Sequence, residues 1–215
     1  MSPSATSRVE LSGMVAGELT DLAEVLANFA PEQWDSPTLC AGWRVREVIA
    51  HMTMPTRSSP FWFFAEIVRD RGNINRMANR IAVRDAGLPA AALVSAMASE
   101  DLRRWSPPGG GTKGALVHAV IHGLDVTEAL GVERTVPPAR LRVVLAELVS
   151  PASAKFFKLD LDGLRLEATD LEWSAGSGDV VAATAQDLAL ALSGRRLPPG
   201  SLTGDGAGRL SGPST

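Results

Sequence analysis

The chain has 215 residues, 45% of them hydrophobic, enough for one large domain or a domain and a half around a packed core. Its net charge of −3 gives no electrostatic case for nucleic acid. A single cysteine, Cys40, excludes an internal disulfide and points to a reducing compartment; with no apolar signal core at residues 1–8 and no apolar run near the roughly 18 residues of a membrane span, the expectation is a cytoplasmic protein with no membrane partner.

Arginine far outnumbers lysine, and alanine and glycine are frequent, which reads as the coding bias of a GC-rich bacterium rather than a phosphate-binding surface. Leu11, Val15, Leu19, Leu22, Val25, Leu26 and Phe29 recur with helical period, while Glu18, Asp21, Glu24 and Asn28 fall outside that stripe. This first helix ends near Pro31. Residues 34–43 read as a loop. A second helix runs from about Val45 past His51, limited by Pro55. A third starts with Pro60 in its first turn and carries Phe61, Trp62, Phe63 and Phe64. Consecutive aromatics cannot all face one way on a helix, so one or two are left for a pocket wall or a dimer contact. Further helices are expected over Ile74–Ala86 and from about Pro89 to Trp105. Pro107-Pro108-Gly109-Gly110-Gly111 breaks the chain. Thr112 then caps a helix that carries His118 and His122 and ends near Gly131. Pro137 to Ser150 is the last helix of this half.

After Pro151 the texture changes. Leu164-Arg165-Leu166-Glu167-Ala168 alternates with period two, and Leu171-Glu172-Trp173 repeats the habit. Gly176-Ser177-Gly178-Asp179 reads as a hairpin turn into a strand at Val180. Thr184-Ala185-Gln186-Asp187 opens a helix in the manner of a capping box, and the Gly-rich tail from Pro198 reads as a short strand or disorder. The fold class expected is mainly α: an up-down four-helix bundle over residues 1–150 and a small α+β domain over residues 155–212.

The histidines carry the functional signal. With His118 at zero on a helical wheel, His122 falls near +40° and Asp125 near −20°, flanked by Gly114 and Ala115. Such small neighbours leave room for an ion or a ligand, and Asp125 suits a ligand or an acceptor that orients an imidazole. His51 borders the apolar arc of its own helix, with Glu47 one turn earlier. Two readings stand on residues alone: hydrogen-bonded core histidines, or a divalent metal site with open positions. The spacing lacks the Glu of His-Glu-x-x-His, so a zincin protease is excluded on its general base.

The segment Trp34 to His51, with Trp, Pro-Thr, Cys, Gly-Trp, Val and then His at helical spacing, resembles the signature of the mycothiol-dependent maleylpyruvate isomerase family. That family belongs to the DinB/YfiT-like metalloprotein superfamily. His118, His122-Gly123-Leu124-Asp125 and Leu130-Gly131 are similar to its second signature, and residues 178–205 to its small C-terminal domain. The resemblance implies a DinB-like bundle with His51, His118 and His122 as metal ligands, zinc first and nickel second. It also implies mycothiol as a thiol cofactor and a small-molecule substrate. Many members carry a basic pair shortly after the second signature; Val126-Thr127-Glu128 stands there instead.

Such a site admits a thiol-dependent isomerase or S-transferase, a metal-dependent hydrolase, or a non-catalytic metal- or ligand-binding module. Glu47 or Asp125 is expected to orient ligand histidines. Arg44 and Arg46 are expected near the site mouth as cofactor-binding groups, or else on a solvated helix face. Cys40 reads as a packed thiol rather than a nucleophile. The chain is expected to be a monomer or homodimer.

Overall fold

A computed structural model describes residues 6–210, and contacts divide the chain between Val132 and Glu133 into two compact units. The first is helical throughout. α1 (Arg8–Ala27) starts earlier than the apolar stripe suggests, because Ser7 and Glu10 form a reciprocal capping box. Glu18, outside that stripe, is fully buried; α1 is covered by α5, α6 and α7, more of its circumference than one apolar face. Residues 31–35 form a short 3-10 turn, which puts Trp34 into the core rather than in a loop.

α2 (Val45–Met52) is preceded by a tight hairpin, and α3 (Pro60–Arg69) and α4 (Ile74–Asp85) follow. The helix expected from Pro89 to Trp105 is two pieces, α5 (Ala90–Met97) and α6 (Glu100–Arg104). Ser99 interrupts it by accepting from the Leu102 amide, a local side-chain bond that competes with helix continuation. α7 (Gly111–Thr127) carries two histidines. Thr112 lies inside it and not at its cap; Gly110 is the N-cap residue and offers no side chain.

α7 packs along α1, α2 packs on α4 and α7, and α5 packs against α1 and α2. The interior is aliphatic: Leu22, Leu26, Ile49, Met52, Leu116 and Leu124 are fully buried, each contributing about 1.5–3 kcal/mol of transfer free energy. The aromatic run on α3 splits as its spacing requires. Trp62, Phe63 and Ile67 pack on Met54, Met77 and Ile81, whereas Phe61 and Phe64 face solvent.

The second unit holds α8 (Pro138–Leu148), α9 (Pro151–Phe157), β1 (Leu164–Ala168), β2 (Ser174–Gly176), β3 (Asp179–Ala183), α10 (Ala185–Leu192) and α11 (Ala207–Leu210). The boundary lies near residue 132 rather than 150 because α8 packs on α10. α9, which the sequence reading lacks, is capped by Ser150. The sheet order is β2-β1-β3, with β1 antiparallel to β2 and parallel to β3. Two expectations therefore change. Leu171-Glu172-Trp173 is the turn of the β1–β2 hairpin and not a strand. Gly176–Asp179 is not a hairpin turn: it carries the chain past the start of β1, from one edge of the sheet to the other. Gly178 permits this, with φ +121° and a position where a Cβ would lie 2.1 Å from the Gly163 carbonyl oxygen. The Gly-rich tail pairs briefly with β3 through Thr203 and Ala182, then forms α11. Among the described residues no helix is long and apolar enough to cross a membrane.

Candidate metal centre

The hairpin before α2 is set by backbone and side-chain bonds within residues 36–45. The Thr38 amide donates to the Trp43 carbonyl at 3.1 Å, the Thr38 hydroxyl donates to the same carbonyl at 2.8 Å, the Trp43 amide donates to the Cys40 carbonyl, and the Val45 amide donates to the Ser36 carbonyl. Gly42, at φ +79°, supplies the left-handed turn that reverses the chain. The hairpin is tied to α7 by the Leu39 amide, which donates to the Asp125 carbonyl at 3.1 Å. This bond fixes the register between the hairpin leading to His51 and the helix bearing His118 and His122.

His51, His118 and His122 converge. Their ring centroids form a near-regular triangle with sides of 5.0, 5.0 and 4.7 Å. One ligand nitrogen from each lies within 4.8 Å of the others, and His51 Nε2 is 3.0 Å from His118 Nε2. All three are half-buried. Asp125, fully buried one turn beyond His122, places Oδ2 2.9 Å from His122 Nδ1. An ionised carboxylate only accepts, so Nδ1 carries the hydrogen and the Nε2 lone pair is left for the cluster.

Glu47 is placed differently from its expected role. Its carboxylate accepts from the Arg44 amide at 2.9 Å, closing a helix cap, and from the Arg44 guanidinium at 2.6 Å. Burial pushes this carboxyl up, but the Arg44 hydrogen bonds outweigh it and hold the group below the usual carboxylate range. Glu47 therefore steadies the start of α2 rather than an imidazole. Arg44 also pairs with Asp35, and Arg46 pairs with the same Asp35 oxygen at 3.0 Å. Both guanidiniums are thus held in a surface ion-pair group. Gly114, expected to leave space beside the histidines, is roofed by Pro107, whose Cγ would lie 3.1 Å from a Cβ there.

Three neighbours were not singled out from the sequence as site residues. The Trp43 ring lies 5.0 Å from His51 and 6.4 Å from His122. The Trp105 ring lies 5.1 Å from His118. Trp43 closes the Gly42 turn and Trp105 precedes the Pro107–Gly111 turn, so helical periodicity could not place them. The close packing of Pro107 on Gly110 and Gly114 turns the chain tightly enough to lay Trp105 back on α7. Cys40 also joins the site, its sulfur within 4.8 Å of ligand atoms of His122 and Asp125.

Residues 15–106 match the family model of the mycothiol maleylpyruvate isomerase N-terminal domain. This span includes His51, Trp43 and Trp105 but stops short of α7. Crystal structures of the mycothiol-dependent maleylpyruvate isomerase and of a histidine-to-alanine mutant of it are similar to this chain. Each has 16% sequence identity and a TM-score of 0.61, over 93% of this chain and 93% of its own. At that identity the likeness is one of fold: a DinB-like helical bundle followed by a small α+β unit. No curated protein matches the chain.

Proposed function

We propose, from the premise that this chain belongs through its helical unit to the mycothiol maleylpyruvate isomerase family, that it is a divalent-metal-dependent enzyme. In this reading it joins a low-molecular-weight thiol, such as mycothiol, to a small electrophile in the cytoplasm. The observation that carries the reading is the convergence of His51, His118 and His122. The donor set fits a metal. Ligand nitrogens at about 2.0–2.1 Å from zinc in tetrahedral geometry are separated by about 3.3 Å. The 3.0 Å between His51 Nε2 and His118 Nε2 is close to that edge. Three neutral imidazoles suit zinc first and nickel second.

A bound divalent cation would supply Lewis acidity and lower the pKa of a thiol at an open position. The chain's own residues do the remainder. Asp125 fixes the His122 tautomer and ring angle. Trp43 and Trp105 cover two sides of the cluster and limit water there. In the addition step the thiol sulfur forms a bond to the electrophilic carbon and the carbon–carbon π pair moves toward the carbonyl. Rotation about the resulting single bond and expulsion of the same thiolate gives an isomer. Departure of a different leaving group gives S-transfer. Hydrolysis by a metal-activated water would need no carboxylate base, so thiol dependence is what separates the two reactions.

The test is metal analysis of the purified chain followed by a mycothiol-dependent turnover assay with and without added zinc. Stoichiometric metal, thiol-dependent turnover and loss of both in His118→Ala support the proposal. Metal without turnover would make the chain a binding module. Thiol-independent turnover would make it a hydrolase. Failure to take up any divalent metal ends the metalloenzyme reading.

A further inference from the structure

α3 is apolar on two opposite sides, the pattern of a helix that is enclosed on both. One side is enclosed. Trp62, Phe63 and Ile67 pack on Met54, Met77 and Ile81, Arg84 lies over the Trp62 ring at 5.4 Å, and Arg80 ties Glu66 and Asp70 to α4. The other side carries Phe61, Phe64, Ala65 and Val68, and it is open. Phe61 is 83% exposed, Phe64 65% and Val68 59%, and Ala65 is exposed between them. On the helical wheel these four fall within about 100°, a single stripe about 10 Å long.

The stripe is its own complement. Its four positions are symmetric about the point between Phe64 and Ala65. Where two copies of α3 cross antiparallel at that point, Phe64 of each meets the small Ala65 of the other, and Phe61 meets Val68. Each large side chain then faces a smaller one, twice over, as a two-fold isologous contact requires. The area agrees. At about 150–250 Å² per phenylalanine, the exposed fractions leave a patch of roughly 400 Å² once Ala65 and Val68 are added. Two such patches bury about 800 Å², about half of a standard interface, which leaves the rest to a polar rim. A lipid surface fits the face poorly. Of Arg69, Arg71, Arg76, Arg80 and Arg84, all but Arg71 pair with Glu66, Asp70 or Asp85 among the described residues, whereas charge-driven lipid binding draws on clusters of about four to eight cations.

We infer that the outer face of α3 is a homodimer interface, covered by α3 of a second copy of this chain that crosses it antiparallel between Phe64 and Ala65. The inference stands apart from the metalloenzyme reading, since none of the three histidines lies on α3.

The test is sedimentation equilibrium of the full-length chain from about 1 to about 200 μM, the range in which an interface of this size associates. The expected mass at the upper end is twice 22.6 kDa. Phe64→Glu, at an exposed position, is expected to keep the wild-type circular dichroism and to weaken association by at least about tenfold. Phe61→Glu takes its place if that variant does not fold. Register is read by disulfide cross-linking with diamide. Phe61→Cys and Val68→Cys chains are expected to cross-link when mixed and not when separate, with wild type, which carries Cys40, as the control. A wild type that stays monomeric at about 200 μM overturns the inference, as does a dimer that both glutamate variants leave intact. Cross-linking of either cysteine variant alone beyond the wild-type level, or none in the mixture, overturns the antiparallel crossing. A monomeric wild type that sediments with phosphatidylglycerol vesicles assigns the face to lipid and overturns the second copy.

Discussion

Replacing Asp125 by Asn keeps the shape of the side chain and removes its charge, which isolates one function of a fully buried group. In the wild type the carboxylate can only accept, so the 2.9 Å contact puts the hydrogen on His122 Nδ1. An amide can satisfy Nδ1 in either orientation. With its oxygen toward the ring it preserves the tautomer but makes a weaker, uncharged bond. With its nitrogen toward the ring it favours the other tautomer and puts the hydrogen on Nε2, where it blocks ligation. Loss of a second partner of this kind lowers metal affinity by about 10–100-fold, or about 1.4–2.7 kcal/mol. The fold is spared, because the Leu39 amide donates to the Asp125 backbone carbonyl, which the substitution leaves in place. Competition against a chromophoric zinc chelator measures the affinity, and denaturant unfolding of the metal-free protein measures the fold. Zinc affinity within about threefold of wild type, in a protein as stable as wild type, would refute the claim that Asp125 orients His122.

Zinc at 100 times its dissociation constant should stabilise the helical unit by about 2.7 kcal/mol, raising its thermal midpoint by several degrees; chelation should reverse the shift in wild type and have no effect in His118→Ala. Glu47→Gln should cost about 1–2 kcal/mol near neutral pH, since Arg44 is half exposed and its ion pair is screened. The folded-state carboxyl of Glu47 lies below its ordinary range, so its contribution is full above that range and is lost as pH falls through the lowered value. The difference between wild type and variant in urea unfolding should therefore hold steady above the ordinary carboxylate range and shrink as pH falls below it. Gly178→Ala should destabilise the second unit by roughly 3 kcal/mol or more, because φ +121° is strained for alanine and its Cβ meets the Gly163 carbonyl at 2.1 Å. Circular dichroism melting that resolves no loss in this variant would show that the crossing can be rerouted.

The histidine pair was legible because i, i+4 spacing is a property of one helix, and α7 is a regular one. His51 became a partner through a motif rather than through periodicity, since nothing local to α2 reports what packs on it. Where the reading departed from the structure, competing side-chain bonds or tertiary cover decided. Ser99 broke an expected helix, α5, α6 and α7 enclosed α1 far enough to bury Glu18, and β1 inserted between two strands that turn chemistry had paired. Glu47 and Arg44 illustrate the limit most clearly. Both sit at helix-start positions, so the same residues fit a site mouth and a capping box; only the 2.9 Å bond to the Arg44 amide separates the two.

The site is a joint between a hairpin and a helix, and its parts are coupled through one residue. Asp125 uses its carbonyl to hold Leu39 and its carboxylate to hold His122. Leu39 lies between Thr38, which shapes the hairpin carrying Trp43, and Cys40, which approaches His122. A shift of α7 at Asp125 would therefore move Trp43 and His122 together. The same coupling explains why a hairpin that turns on a glycine can serve a site that needs fixed geometry. Gly42 gives the hairpin its turn, while the bond to α7 and the Trp43–Asn79 bond remove the freedom that glycine brings. Rigidity here comes from cross-links between segments and not from the propensity of the loop itself.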